Sequence, residues 1–202
     1  MRLQHVIGLG LLALAPVGAM AASPIGNNLD AYYISSGIET GAGDDDGDGF
    51  GAKGRFAFAD TLFFSGEYQS SNYDDSDSDL NQLRLGVGFN SSISPQATLY
   101  GLAEFIQAEP DNTGIPSFDE AQNGLGVHGG IQFNLGDDVS LDGRLGYVDI
   151  GDLGDGVEFL VGATYRLTPA FGIFADYRVT QIDGDFGDID VDDFRAGLRF
   201  AF

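Results

Sequence analysis

The sequence predicts an all-β chain, a transmembrane up-and-down antiparallel β-barrel of ten strands after a cleaved leader, with eight strands as the alternative count. Three observations carry that expectation. Segments about ten residues long alternate apolar with polar or small side chains, the period of a strand with two unlike faces. The connections between them are short and long in turn. Every Lys and Arg after the leader falls on the polar face of one of these segments.

The leader comes first. Arg2 precedes the ten-residue apolar run from Val6 to Ala15, and Ala19-Met20-Ala21 offers small residues for cleavage after Ala21. This is the pattern of a secretory signal, so residues 1–21 are expected to be removed and residues 22–202 to form one barrel domain. Ten apolar residues are too few for a membrane-spanning helix, and no later run approaches the length required. With no Cys anywhere, neither a disulfide nor a lipid-modified cysteine is available.

Strands are expected near Leu29 to Glu39, Phe50 to Ala59, Thr61 to Ser70, Leu80 to Asn90 and Ala97 to Gln107. Five more are expected near Asn123 to Asn134, Val139 to Asp149, Val157 to Leu167, Phe171 to Thr180 and Asp192 to Phe202. Each is about long enough to cross a hydrocarbon core when tilted. In the second, Phe50, Ala52, Gly54, Phe56 and Phe58 oppose Gly51, Lys53, Arg55 and Ala57; in the fourth, Leu83, Leu85, Val87 and Phe89 oppose Gln82, Arg84, Gly86 and Gly88. The ninth sets Phe171, Ile173, Ala175, Tyr177 and Val179 against Gly172, Phe174, Asp176 and Arg178. Only the first strand leaves its phase open, because Tyr32 and Tyr33 are adjacent.

The basic residues are Lys53, Arg55, Arg84, Arg144, Arg166, Arg178, Arg195 and Arg199, and Glu67, Glu104, Asp142, Glu158 and Asp176 share their face. Alternation alone does not say which face meets solvent. The connections do: Ala59-Asp60, Ser91 to Gln96, Leu135 to Asp138 and Thr168 to Ala170 are turn-like, whereas those between them are longer and acidic. Transmembrane barrels have short turns at one end and long loops at the other. The apolar face is therefore expected to meet lipid and the charged face to line the lumen as an ionic network. Aromatics gather near both strand ends, as two interfacial girdles would.

The last eight residues, Arg195-Ala-Gly-Leu-Arg-Phe-Ala-Phe202, alternate strictly and stop on an aromatic. With Gly197, Phe200 and Phe202 so placed, the stretch resembles the C-terminal targeting strand of Gram-negative outer-membrane β-barrels. Together with the leader and the loop asymmetry, the chain resembles the small outer-membrane barrel superfamily, the OmpA-like and OmpX-like barrels of the porin family. That resemblance implies insertion in the outer membrane by the barrel-assembly machinery, outer-membrane lipid and lipopolysaccharide as surroundings, long loops outside the cell, and a monomer. No periplasmic domain is expected after the barrel, and ten strands are expected rather than the eight of those barrels.

Charge narrows the function. A net charge of −22 excludes nucleic acid as a partner. Asp44, Asp46 and Asp48 open like a calcium-binding EF-hand loop, but Arg55 stands where its bidentate Glu belongs. Cofactors are therefore not expected, beyond weakly held divalent cations such as calcium at Asp44, Asp46 and Asp48. His128 is the one histidine after the leader and shares the lumen face, where Glu104 lies near it if the fifth and sixth strands pair. No catalytic constellation accompanies it, and an enzyme is not expected. The reading is a structural or surface-exposed barrel with at most a narrow pore; the alternatives are a small-solute or ion channel, and then a barrel enzyme centred on His128.

Overall fold

Ten strands close on themselves in chain order in the computed structural model, which describes residues 26–41, 43–74, 76, 78–111, 121–184 and 187–202. They are β1 (Asn28–Thr40), β2 (Gly43–Ala57), β3 (Leu62–Tyr73), β4 (Ser78–Ser92), β5 (Ala97–Asp111), β6 (Gln122–Leu135), β7 (Val139–Asp149), β8 (Asp155–Arg166), β9 (Phe171–Gly184) and β10 (Gly187–Ala201). The strand count is ten, not the alternative eight. Each strand runs antiparallel to both neighbours, and β1 pairs with β10 from Asn28↔Ala201 to Thr40↔Ile189. The leader and the expected cleavage after Ala21 lie outside the described residues, as do parts of the acidic connections at 75, 77, 112–120 and 185–186.

The burial pattern is that of a soluble protein turned inside out. Leu125, Val127 and Leu198 are each about two-thirds exposed, at 67%, 65% and 66%, while Arg178 and Arg195 are 1% and 0% exposed. Such a belt of exposed apolar side chains is stable only against lipid. Register decides the open phase of β1: Asn28, Asp30, Tyr32, Ile34 and Ser36 turn inward, and Leu29 and Tyr33 outward.

At the long-loop end the strands run further than the alternation suggests. Residues 43–49, 108–111, 181–184 and 187–191 belong to strands, not to loops. The physical reason is that hairpin ladders continue into water, where no lipid imposes an apolar face. There the sequence is rich in Gly and Asp, which are depleted in strands in general and therefore read as loop. One turn of 3-10 helix (Gly151–Leu153) joins β7 to β8.

Inside, large side chains fill the room that glycines leave. The Tyr100 ring lies over Gly130, Phe63 over Gly88 and Tyr32 over Gly51, so a Cβ at any of the three would overlap a ring. The inward glycines are thus seats for neighbouring rings and leave no open passage at these points. Near the long-loop end Ile106, Ala108, Val148, Ile150 and Ile182 form an apolar cluster within the lumen. Gly130→Ala is expected to destabilise the barrel by about 1–3 kcal/mol through overpacking against Tyr100. Gly129→Ala, on the opposite face with open space around it, should leave the urea midpoint in detergent micelles unchanged.

Candidate functional site

Among the described residues, the lumen is where cations and carboxylates of the strands come together. Lys53, Arg55, Arg84, Arg144, Arg178, Arg195 and Arg199 turn inward, and so do Asp30, Glu67, Glu104, Asp142, Glu158, Asp176 and Asp193. Cations and carboxylates are equal in number. Period-two alternation delivers them to one side, and closure of the sheet then removes the water that would otherwise solvate them.

Among the described residues, four Lys or Arg ion pairs cross the lumen between strands that are not neighbours. Lys53 on β2 bonds Asp176 on β9. Arg84 on β4 reaches Glu158 on β8 at 2.7 Å. Arg178 on β9 and Arg195 on β10 both reach Glu67 Oε1 on β3, at 2.7 and 2.9 Å. Shorter ties join them: Arg84 to Glu104 at 3.0 Å, Arg144 to Glu158 at 2.7 Å, Arg178 to Asp193 at 2.6 Å and Arg195 to Asp176 at 2.5 Å. Gln82 Oε1 accepts from both Arg84 Nε, at 3.1 Å, and Arg178 Nη2, at 3.2 Å, and so connects the two halves into one network. Arg199 grips Asp30 with two nitrogens, at 2.8 and 2.6 Å.

Two expected members are placed differently. Arg166 stands exposed at the short-turn mouth and joins no ion pair among the described residues, because it closes β8 where the lumen opens to solvent. Arg55 lies inside without an ion pair, its guanidinium 5.1 Å from the Tyr100 ring centre and 5.9 Å from that of Phe63. Asp142 takes a hydrogen bond from Tyr100 at 3.0 Å. Asp30 and Asp193 are network members that sequence reasoning missed. The open phase of β1 conceals Asp30; Asp193 ends the acidic run that begins at Asp188 and so resembles a loop residue, although it shares parity with Arg195 two residues on.

His128 meets Glu104 as the strand pairing suggests, with Nε2 2.9 Å from Oε1, while Nδ1 lies 3.8 Å from Glu158 Oε1. Neither approach is aligned as a hydrogen bond. Glu104, His128 and Glu158 bring one ligand atom each within 4.8 Å of one another, a spacing that suits a metal. The rest of their shell does not: Arg84 binds both carboxylates and Arg144 one of them, so a dication would add charge beside two guanidinium groups. The cluster is an ion-pair knot.

Asp44, Asp46 and Asp48 do not converge. They lie in β2 on its outward face, spaced as alternate residues of an extended strand, in place of the loop that an EF-hand-like opening suggests. Among the described residues the long-loop end carries carboxylates and no Lys or Arg. Of the targeting residues, Phe200 and Phe202 stack outside at 5.6 Å, with Phe202 5.8 Å from Phe56. Gly197 turns inward against the backbone of Ala31 and Tyr32.

Comparison with known proteins agrees with this architecture. A family model described as outer membrane protein β-barrel domain matches residues 7–159. An outer membrane channel from Pseudomonas putida F1 is similar at 11% identity and a TM-score of 0.59, covering 93% of this chain and 100% of its own. The outer membrane protease OmpT from Escherichia coli is similar at 11% identity and a TM-score of 0.55, covering 91% and 99%. No curated protein sequence matches. One fold thus serves a channel and a protease, and function has to be argued from the lumen.

Glu67→Gln leaves Arg178 and Arg195 without their shared carboxylate. It is expected to cost about 3–5 kcal/mol, as does removal of one partner of other buried ion pairs. Arg166→Gln at the mouth should stay within about 0.5 kcal/mol of the parent. Urea unfolding followed by the change in gel mobility of unboiled samples checks both.

Proposed function

Because the chain belongs to the outer membrane protein β-barrel domain family, we propose that it serves the Gram-negative outer membrane as a plugged, surface-exposed structural barrel. In this reading it is monomeric and surrounded by lipid and lipopolysaccharide, its acidic long-loop end faces the outside, and it is neither an open channel nor an enzyme. The observation that carries it is the set of four ties across the lumen, Lys53–Asp176, Arg84–Glu158, Arg178–Glu67 and Arg195–Glu67. Ten strands give room for water in principle, yet these side chains meet in the middle of it.

The apolar cluster of Ile106, Val148 and Ile182 supports closure beyond the ionic layer. Against catalysis stands the burial of His128 and Glu104, at 3% and 5% exposure, where no substrate meets them. Asp44, Asp46 and Asp48 on the outer face of β2 are suited to loosely held divalent cations, which lessen repulsion from lipopolysaccharide phosphates.

Planar-bilayer recording tests the reading. The parent protein is expected to give no resolved unit steps, and stable steps of defined size would establish a channel instead. Removing both sides of the central knot, with Glu67→Gln and Arg178→Met together, is expected to introduce conductance where the parent has none.

A further inference from the structure

The short-turn half of the lumen is not filled. A cavity of about 70 Å³ lies beneath the ionic layer, and a second of about 140 Å³ forms the mouth between the turns. They share Asn28, Gln132, Ser140, Thr164 and Arg199 as walls, so the mouth leads into the inner chamber. No lining residue comes from the apolar cluster at the far end. The chamber is a blind vestibule open to the periplasmic side.

Its ion pairs leave two charged groups over. Five cations and four carboxylates line the inner chamber. Lys53, Arg195 and Arg199 are spoken for by Asp176, Glu67 and Asp30, and Arg144 by Glu158. Arg55 and Asp142 remain. The Arg55 guanidinium feels the charge of Asp142 across the chamber but makes no ion pair or hydrogen bond with it, and rests against the faces of Phe63 and Tyr100. Aromatic faces hold a cation in place but satisfy none of its N–H donors.

From this we propose that the vestibule is a binding site for a small oxyanion of about the size of phosphate, reached from the periplasm and anchored by Arg55. The planar fork of a guanidinium matches an oxyanion with two parallel donors. At about 70 Å³ the chamber has room for about two waters at liquid density, a volume that admits one small tetrahedral anion and excludes a sugar or a peptide. The site is an addition to the plugged reading and rests on it, since an open lumen would be a path and not a pocket.

Calorimetric titration of the refolded barrel in detergent with inorganic phosphate is the test. Saturable binding to the parent is expected, weakened about tenfold or more by Arg55→Gln through loss of a charged hydrogen-bonding group. Ser140→Leu, which narrows the passage between the two cavities without touching a charge, is expected to abolish it. Absence of binding to the parent, or undiminished binding to Ser140→Leu, overturns the proposal even if Arg55→Gln does not refold. Unit conductance in phosphate would refute the closed lumen, whereas no binding and no conductance would refute the anion site alone.

Discussion

A strand in hydrocarbon has no water to turn to, so each of its backbone N–H and C=O groups must find a partner strand. Here that demand is met around the full circle, down to the pairing of β1 with β10. Everything else follows from the closure. A closed sheet has an outside and an inside, the strand period assigns alternate residues to each, and no side chain has a third choice. Leu125 and Leu198 outside and Arg178 and Arg195 inside are two results of the same rule.

Closure also sets the energetics of the interior. Charged groups drawn into a narrow lumen lose water and have to satisfy one another. The pairing is collective: Glu67 serves two arginines, Arg178 serves Glu67 and Asp193, and Gln82 links Arg178 to Arg84. Replacing any one of these residues disturbs several strands at once. Arg55 is the exception, and its independence is why the vestibule has chemistry left to offer.

Much of this was legible in the sequence. Strand number, order and face follow from alternation, because lipid imposes it strictly between the girdles. The cations declared themselves by parity, and His128 by parity and pairing with Glu104. Strand ends at the long-loop side were not legible, since outside lipid the pattern relaxes and Asp44 to Gly49 looks like a loop while pairing as a strand. Nor were individual partners. Whether Arg195 meets a neighbour or a residue across the lumen depends on barrel width and stagger, which no local pattern encodes. Arg166 shows the same limit: its parity agrees with the lumen, but its height on the strand places it in solvent.

The last strand carries Arg195, Arg199 and Asp193, and their partners are spread over β1, β3 and β9. A sheet of nine strands, with β10 still undocked, therefore holds Asp30 with no cation of its own and deprives Glu67 and Asp176 of one guanidinium each. Those carboxylates keep their water until β10 docks. Dehydration of the interior and sealing of the seam thus become a single event. β10 is the latch of the ionic core as well as the edge that completes the wall.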